Sequence, residues 1–420
     1  MNLKQMLKGL AVGFSALYLL SASVPAWAAD IQMWERSGGN KGIVDALVAR
    51  WNEQNPDRKI NLTYIPHSEM VPKLAQAIAS GDVPDLMGLD LIYGPQFEKA
   101  GQLVDITDKV SSWPELKTAS PGHMKVSTYE GKIYGVPLYA DVSVLFWNKD
   151  LFKKAGLDPE KPPTSLAEIS EYAKKITALG DGNYGYYLPG SCAGCNIFTV
   201  GPLIWASGGK IEPSGPGDEP LVGDGVKEVL TWARQMIKDG NVAEANRAEN
   251  GETFHLQFGS GKVGMMGTGN FNISLVKDQN PTMNYGITLL PGAKPGQVSS
   301  FAGGDIVTIP NGSKRVDDAV DFMKWLLSDD TQLEGYAKNL DLTTRGDMAD
   351  NKYFKETPAV LDAAKALDVA NTPYTLKFFE LINSPQGPWL QMLQRAYYED
   401  TDIDTVIADG KKAMRAISDE

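Results

Sequence analysis

The first hundred residues contain apolar segments of two kinds, separated by polar turns. Ile31 to Trp34 is a short apolar run, and apolar side chains then recur at Ile43, Leu47 and Trp51. That spacing predicts an amphipathic helix, whereas the alternation of residues 60–65 predicts a strand. The chain therefore begins with a strand, a helix and a second strand.

The same order continues to residue 90. Ser68 is a predicted cap for a helix that ends near Ser80, and PDLMGLD (84–90) predicts a third, buried strand. Alternating strands and helices at this spacing indicate β-α-β units and a parallel sheet, so the predicted fold class is α/β. Ligands of such sheets bind beyond the carboxyl ends of the strands, where Glu35 and Asp90 fall.

Long apolar segments occur in the second half as well. Residues 133–152 are largely apolar, and residues 166–179 have the periodicity of an amphipathic helix. Trp147 and Trp205 lie within apolar runs and are predicted core residues.

A chain of 420 residues exceeds what one core usually supports, so two lobes are expected. No Pro/Gly-rich linker separates them, which favours strands that cross between the lobes.

The N-terminal segment is organised like a secretory signal peptide. Lys4 and Lys8 precede an apolar run at residues 10–20, and an A-x-A triplet ends at Ala28. The run is shorter than the roughly 20 apolar residues of a membrane span. We therefore expect export with cleavage after Ala28, and no lipid anchor, because no cysteine lies near that site.

The chain is acidic. It has 52 Asp and Glu against 40 Lys and Arg, a net charge of −12, and loss of Lys4 and Lys8 makes the balance more negative. Nucleic acids and anionic membranes bind basic surfaces. Neither is expected as a partner.

The stretch GSGKVGMMGTGNF (259–271) contains a G-x-G-x-x-G pattern that starts at Gly259. A dinucleotide fingerprint follows a strand and opens a helix, because the pyrophosphate rests on the helix N-terminus. Here residues 254–258 predict the end of a helix, and Val263 begins a predicted strand. The glycines therefore indicate a helix end, and no nucleotide or other cofactor is expected.

Cys192 and Cys195 form a C-x-x-C motif. In an exported protein they favour one local disulfide. A zinc site needs more ligands than this motif and three scattered histidines provide, so no metal is expected. A thioredoxin-like site places the motif at the start of a helix after a strand, whereas LPGSCAGCN predicts a glycine-rich loop. A structural bridge is the favoured interpretation.

Familiar catalytic motifs are absent from the sequence, which has no G-x-S-x-G elbow and no H-E-x-x-H. Acidic residues are numerous, so a two-carboxylate glycosidase stays open. Adjacent tyrosines at 186–187 and 397–398 leave ferric-ion capture as an alternative, although such pairs also arise in packed cores.

One long segment carries a family resemblance. GKIYGVPLYADVSVLFWNKDLFKKAGL (131–157) resembles the hinge-proximal segment of the periplasmic sugar-binding proteins of ABC importers, the family that includes maltose-binding protein. Seven further segments occur in that family's order: VARWNEQNPDRKINL, LAQAIASGDVPDLMGLD, FEKAGQLVDIT, GVKEVLTWARQMIKDG, FGSGKVGMMGTGNF, YGITLLPG and AVDFMKWLLSDD. The resemblance extends over essentially the whole chain after residue 28.

The resemblance implies a periplasmic-binding-protein-like fold, with two α/β lobes, a hinge and a ligand cleft between them. The N-terminal lobe would comprise residues 29–140 and 285–330, and the C-terminal lobe residues 141–284 and 331–420. The implied function is high-affinity capture of a small carbohydrate or carbohydrate-like solute in the periplasm. Hinge closure would then deliver it to the membrane-embedded permease subunits of an ABC transporter. A monomer without catalytic activity is expected.

Position by position, the resemblance implies ligand contacts from both lobes. Carboxylates and amides match sugar hydroxyls, and aromatic rings cover apolar sugar faces. The matched residues are Glu35, Asn40 and Asp90 in the first lobe with Asp141 at its boundary, Asn196, Asn270, Phe271 and Trp389 in the second, and Gly304, Asp305 and Arg345 elsewhere. The family often has Trp where this chain has Phe271.

Several of these residues have structural alternatives. Asp90 could cap a helix, Trp389 could lie in the core, and Arg345 could form a structural ion pair. The ligand also stays open: Arg36 and Arg345 would suit an anionic sugar derivative, whereas the acid-rich set favours a neutral sugar, with a polyamine as a weaker option. The alternative to a binding protein is an exported carbohydrate-active enzyme, a glycosidase or lyase.

Overall fold

A computed structural model describes residues 30–37, 40–66 and 69–420 of the chain. The predicted signal peptide, its cleavage after Ala28 and the predicted cap Ser68 lie outside the described residues. Within those residues, no helix has both the length and the hydropathy that crossing a membrane requires. The same residues contain no group of three or more His, Cys, Asp or Glu side chains that could hold a metal ion.

Twelve strands occur in the described part of the chain. They are β1 (Ile31–Arg36), β2 (Ile60–Ile65), β3 (Leu86–Asp90), β4 (Thr128–Tyr129), β5 (Lys132–Ile133), β6 (Gly135–Asn148), β7 (Tyr184–Tyr186), β8 (Val263–Gly269), β9 (Tyr285–Thr288), β10 (Leu290–Pro291), β11 (Val298–Thr308) and β12 (Ala370–Asn371). Ten of them belong to one mixed sheet, and β4 and β5 form a separate antiparallel pair.

Sixteen α-helices surround the strands in the same part of the chain. They are α1 (Lys41–Gln54), α2 (Met70–Ser80), α3 (Gly94–Lys99), α4 (Thr107–Val110), α5 (Pro121–Val126), α6 (Lys149–Lys154), α7 (Leu166–Thr177), α8 (Ala193–Thr199), α9 (Gly201–Ala206), α10 (Asp224–Lys238), α11 (Asn272–Gln279), α12 (Val316–Leu326), α13 (Lys352–Lys355), α14 (Pro358–Lys365), α15 (Pro388–Tyr398) and α16 (Ile403–Ser418). Short 3-10 and π-helical turns connect several of them.

The elements predicted for the first hundred residues are confirmed. Helix α1 buries Ile43, Leu47 and Trp51 on one face, as their spacing predicts. Helix α2 ends at Ser80, and Gly81 then adopts the left-handed conformation (φ 74°) that closes a helix. Strand β1 pairs in parallel with β2 and with β3, so this part of the sheet is built from β-α-β units.

The glycine-rich stretch also has the predicted order. A 3-10 turn, Phe258–Ser260, ends at Gly261, whose φ of 74° is left-handed, and β8 begins at Val263. The chain therefore passes from a helical turn through a glycine to a strand, the reverse of a dinucleotide fingerprint. The preceding helix end is itself two short 3-10 turns and not an α-helix.

The large sheet has the order β2-β1-β3-β11-β6-β8-β7. One end of this order is parallel through β1, β2 and β3, and the other is parallel through β7 and β8. Strands β11 and β6 lie antiparallel between them. Two parallel α/β units are thus joined by antiparallel strands in the middle of the sheet.

Strand β6 runs from one unit to the other and is buried along its whole length. Its residues 135–142 pair with β11, and its residues 143–147 pair with β8. Strand β9 pairs with residues 145–148. Strand β11 likewise pairs with β10 and β12 near its start and with β3 near its end. The predicted crossing on strands is confirmed.

Each unit has its own core. Trp51 of α1 packs edge-on against Phe322 of α12, with ring centroids 5.2 Å apart, over the β1 side of the sheet. Phe146 of β6 packs against Phe258 at 5.3 Å on the β8 side. Trp147 is buried, as predicted, and Trp205 is half-buried against the largest cluster. These two clusters each lie on one side of the crossing strands, as in a two-lobe fold, whereas the largest cluster contains residues of both units.

Candidate functional site

A cleft of about 880 Å³ opens beside the crossing strands. Its volume falls within the roughly 300–1,000 Å³ that is usual for small-molecule sites. Part of its lining comes from the ends of β1 and β3 and the middle of β6 and β11, and part from α8, residues 250–254 and residues 378–385. Charged side chains and aromatic rings both line it.

Strand ends build the charged part of the cleft. Arg36 is the last residue of β1 and Asp90 is the last residue of β3, and the two strands are parallel neighbours. The antiparallel strand β11 places Asp305 opposite Asp90 in the ladder. The structure thus brings the predicted residues Glu35, Asp90 and Asp305 together at one edge of the sheet.

Arg36 is held by two of these acids. Its Nε donates to Asp305 Oδ1 at 2.5 Å and lies 3.7 Å from Asp90 Oδ2. Burial disfavours the charged guanidinium, but the two carboxylates outweigh that effect and raise the pKa of Arg36. Burial raises the pKa of Asp305 and of Asp90, and Arg36 opposes both changes. Asp90 also caps a 3-10 turn by accepting from Ile92 N at 3.4 Å.

Glu35 and Asn40 lie behind this ion pair, outside the cleft lining. Asn40 Nδ2 donates to Glu35 Oε1 at 2.9 Å and to Asp305 Oδ2 at 2.7 Å. Glu35 is fully buried, and its Oε2 occupies the space that a side chain on Gly88 would need. Burial, and after it the charge of Asp305, raises the pKa of Glu35 well above its usual range. Both residues support Arg36 and Asp305 from behind.

Asp141 lines the cleft and has an unpaired carboxylate oxygen. It lies on β6 opposite Gly303 of β11 and is 7% exposed. Its Oδ1 has no hydrogen-bond partner among the described residues. Burial raises the pKa of Asp141 to about 7; Arg36 opposes this and neighbouring acids reinforce it. A buried oxygen without a donor is costly, so a ligand that supplies a donor is favoured here.

Two glycines of β11 make this arrangement possible. A side chain on Gly303 would overlap Asp141 Oδ1. Gly304, a predicted contact that lines the cleft, has a φ of 115°, and a side chain there would overlap the carbonyl oxygen of Tyr139. The ladder register then shifts between Asp305 and Ile306. Only glycine allows β11 and β6 to approach this closely next to the cleft.

Three phenylalanines form an aromatic group: Phe198 on α8, Phe271 after β8, and Phe301 on β11. The ring of Phe198 lies nearly parallel to that of Phe271 at 6.2 Å between centroids, and 5.3 Å from that of Phe301. Phe198 and the Asp141 carboxylate both lie against Gly303. An apolar surface therefore adjoins a carboxylate that can accept hydrogen bonds.

Cys192 and Cys195 also line the cleft and are joined by a disulfide. The motif opens α8 with Cys192 at the N-cap, so the prediction of a loop at this point is wrong. The helix begins here because Cys192 Sγ accepts a hydrogen bond from Cys195 N at 3.0 Å, in place of the usual oxygen cap. Gly251, with a φ of 109°, packs on both sulfurs, so the disulfide also positions residues 250–252.

Asn196 and Asn270 are buried, and the structure does not place either in the cleft lining. Asn196 Nδ2 donates to two backbone carbonyls at 2.6 and 2.8 Å, and its Oδ1 accepts from the Tyr397 hydroxyl at 3.1 Å. Asn270 Oδ1 accepts from Val142 N at 2.9 Å. Both amides therefore hold the elements that carry the cleft.

Arg345 and Trp389 also lie outside the lining, in the structural roles that were their alternatives. Arg345 pairs with Asp329 and with Asp347, each at 2.6 Å. Trp389 is 0% exposed, because it lies on the buried face of α15 that packs against α10 and α16. Of the predicted contacts, Asp90, Asp141, Phe271 and Gly304 line the cleft.

Several lining residues were not among the predicted contacts, including Tyr93, Phe198, Phe301 and Asn383. Tyr93 follows the predicted contact Asp90 by three positions, and Phe301 precedes the predicted contact Gly304 by three, so nearness to a predicted contact was a usable signal for both. No local pattern marks Phe198 or Asn383, because tertiary packing brings them to the cleft.

Known proteins resemble this chain in sequence and in fold. A Brucella abortus (strain 2308) protein, named as a binding protein without a stated solute, is 27% identical over 333 residues, 78% of this chain and 80% of that protein. The galactooligosaccharide-binding protein of Bacillus subtilis (strain 168) is 25% identical over 362 residues, 83% of this chain and 79% of that protein. The GacH receptor of Streptomyces glaucescens, solved unliganded and with acarbose, has a TM-score of 0.78 at 23% identity, over 93% of this chain and 98% of that one.

The likeness to solved binding proteins confirms the predicted two-lobe, periplasmic-binding-protein-like fold. A sequence model of the bacterial extracellular solute-binding proteins matches residues 46–362. That range includes the crossing strands and most of the residues that line the cleft. The chain belongs to the family of bacterial extracellular solute-binding proteins.

Proposed function

We propose that this protein captures a small carbohydrate in its cleft and delivers it to an ABC importer. The observation that carries the proposal is the Asp141 oxygen that lacks a donor among the described residues, beside the ring of Phe198, which stacks on Phe271. A sugar offers hydroxyl donors to a carboxylate and apolar C–H faces to aromatic rings. The sugar-binding relatives named above support the same ligand class.

Closure of two lobes about the crossing strands would enclose the ligand. The lobes are residues 29–140 with 285–330, and residues 141–284 with 331–420. Strand β9 pairs with the same part of β6 as β8 does. This pairing favours assigning β9 to the second lobe, so that the first lobe resumes at β11 and not at residue 285. Asp90 and Asp141 then meet the ligand from the strand side, and Phe198 and Phe271 cover it.

The proposed setting is the periplasm. The signal peptide of residues 1–28 would be cleaved after Ala28, and the mature chain would work as a monomer. The permease subunits of an ABC importer would receive the loaded, closed form. Asp90, Asp141, Phe271 and Gly304 are the proposed ligand contacts of the predicted set, joined by Tyr93, Phe198 and Phe301.

A thermal-shift screen of the mature chain tests the ligand class. Neutral mono- to tetrasaccharides form the main panel, with amino acids and inorganic phosphate as panels of other chemistry. A ligand that binds only the folded state stabilises it by about 2.7 kcal/mol at one hundred times its Kd. A melting temperature that rises with at least one sugar supports the proposal. A rise confined to amino acids or phosphate contradicts it.

An exported glycosidase or lyase is the competing function, because the cleft contains several carboxylates. Prolonged incubation with the sugar that gives the shift, followed by mass analysis of the recovered sugar, separates the two functions. Capture predicts a recovered sugar of unchanged mass. A hydrolysed or eliminated product would establish catalysis instead.

A further inference from the structure

Acidic groups around the cleft outnumber basic ones. Among the described lining residues, Asp90, Asp141 and Glu252 are acidic and Arg36 is basic. The positive charge of Arg36 is already engaged, because its Nε donates to Asp305, an acid that is fully buried behind the lining. The field inside the cleft therefore repels anions and attracts cations.

Asp141 is the acid of the cleft lining whose carboxylate has an oxygen without a hydrogen-bond donor among the described residues. Arg36 contacts Asp305 and Asp90, and no described side chain donates a hydrogen bond to Asp141 Oδ1. The side chain is more than nine-tenths buried, so little solvent compensates for the missing donor. Hydrogen bonds from a charged donor to a carboxylate are stronger than those from a neutral hydroxyl.

The aromatic ring of Phe198 adjoins Asp141 and is compatible with the same kind of ligand group. Phe198 lies against the same glycine, Gly303, as the Asp141 carboxylate, and Phe271 and Phe301 pack around Phe198. The negative faces of aromatic rings attract cations, most strongly when water is excluded. A carboxylate beside phenyl rings is a suitable environment for an ammonium group.

We propose that the solute is an amine-bearing sugar whose protonated amino group binds Asp141, and that the cleft rejects acidic sugars. The proposal rests on the proposed carbohydrate capture and specifies the class of sugar. Arg36 does not make the site an anion site, because Asp305 and Asp90 already neutralise it. An anionic sugar derivative would instead meet Asp141 and Glu252.

Matched sugars test this directly. For the gluco, galacto and manno series, calorimetry at pH 7 compares the hexosamine, the parent hexose, the N-acetylhexosamine and the hexuronate, together with the corresponding disaccharides. A charged donor in place of a neutral one is expected to tighten binding by about tenfold. The hexosamine should bind more tightly than its parent, the N-acetyl form should lose that gain, and the hexuronate should bind most weakly.

Two charge-removing variants locate the amine. Asp141→Asn should bring the hexosamine-to-hexose affinity ratio from about ten to about one. Glu252→Gln removes the same charge from an exposed residue of the lining and should leave that ratio above about five. Equal loss of preference in both variants would overturn the assignment to Asp141. Circular dichroism checks that each variant is folded.

The outcomes separate the two proposals. Hexoses that bind at least as tightly as their hexosamines, or hexuronates that bind as well as either, overturn the amine assignment and leave carbohydrate capture standing. No binding of any sugar by the folded chain overturns both. Tighter binding of the hexosamine, lost in Asp141→Asn and retained in Glu252→Gln, supports the assignment.

Discussion

The hydroxyl of Tyr93 accepts a hydrogen bond from Asn383 Nδ2 at 2.9 Å. Tyr93 lies just after β3, whereas Asn383 lies in a segment that packs on α8 and α15. The ring of Tyr93 also packs edge-on against Phe378, at 6.2 Å between centroids. Because both bonded residues line the cleft, this contact joins its strand side to its helix side.

Tyr93→Phe removes that hydroxyl and keeps the ring. We expect ligand affinity to fall about two- to twelvefold, since one hydrogen bond that supports the ligand-enclosing geometry contributes about 0.5–1.5 kcal/mol. Calorimetric titration measures the change. The control is Tyr353→Phe, which removes a hydroxyl that donates to Glu334 outside the cleft lining and should leave affinity unchanged. Wild-type affinity in Tyr93→Phe would mean that the bond plays no part in binding.

Arg36→Met should strongly destabilise the protein, because it leaves the fully buried Asp305 and the partly buried Asp90 without their cation. Removing one partner of a buried pair typically costs about 3–5 kcal/mol of unfolding free energy. Adding Asp305→Asn removes an unpaired buried charge and keeps an acceptor for Asn40. The double variant should therefore recover part of the lost unfolding free energy. Urea denaturation compares the three chains. A double variant less stable than Arg36→Met would show that the unpaired charge of Asp305 does not cause the destabilisation.

The pH dependence of stability should report Asp141. Burial raises its pKa from 3.8 to about 7, so the native state holds the proton longer than the unfolded chain does. The stability that this bound proton contributes is fully present below about pH 4 and is lost as the pH rises through about 7. Asp141→Asn lacks it, so the unliganded variant should gain stability relative to wild type between pH 4 and pH 7. Thermal melts across that range measure the difference, and a pH-independent difference would contradict the assigned pKa.

Replacement of Cys192 and Cys195 together by Ser should affect the cleft more than the global fold. The disulfide closes a very short loop, so the expected cost is at the low end of about 0–5 kcal/mol. Loss of the sulfurs that pack on Gly251 should loosen residues 250–252 and weaken ligand binding. Hydrogen exchange of this loop and calorimetry measure both effects. Unchanged hydrogen exchange in residues 250–252 would contradict a positioning role of the disulfide. Two free thiols, titrated in the unfolded and non-reduced wild type, would contradict the disulfide itself.

The elements that could be predicted from sequence are those set by local patterns. The spacing of Ile43, Leu47 and Trp51 is a property of one helix, and Gly81 ends another through its own backbone conformation. The alternation of strands and helices also predicted that Glu35 and Asp90 meet at one edge of the sheet. These features need no knowledge of distant parts of the chain.

The features that local patterns did not place depend on tertiary packing. Trp389 could face either the cleft or the core from the start of α15, and only its packing against α10 and α16 decides the matter. Asn196 was expected to meet a ligand, but nearby carbonyls and Tyr397 already satisfy its amide. The helix at Cys192 was missed because a sulfur, and not an oxygen, accepts at its N-cap.

The central claim is that a carbohydrate binds in the cleft at Asp141. Calorimetric titration of wild type, Asp141→Ala and Asp400→Ala with the sugar found in the screen tests it, since Asp400 is an exposed acid remote from the lining. A hydrogen bond to a charged group contributes about 1.5–3 kcal/mol, so Asp141→Ala should bind about ten to one hundred times more weakly, with Asp400→Ala unchanged. Equal affinity in all three folded proteins would contradict the claim.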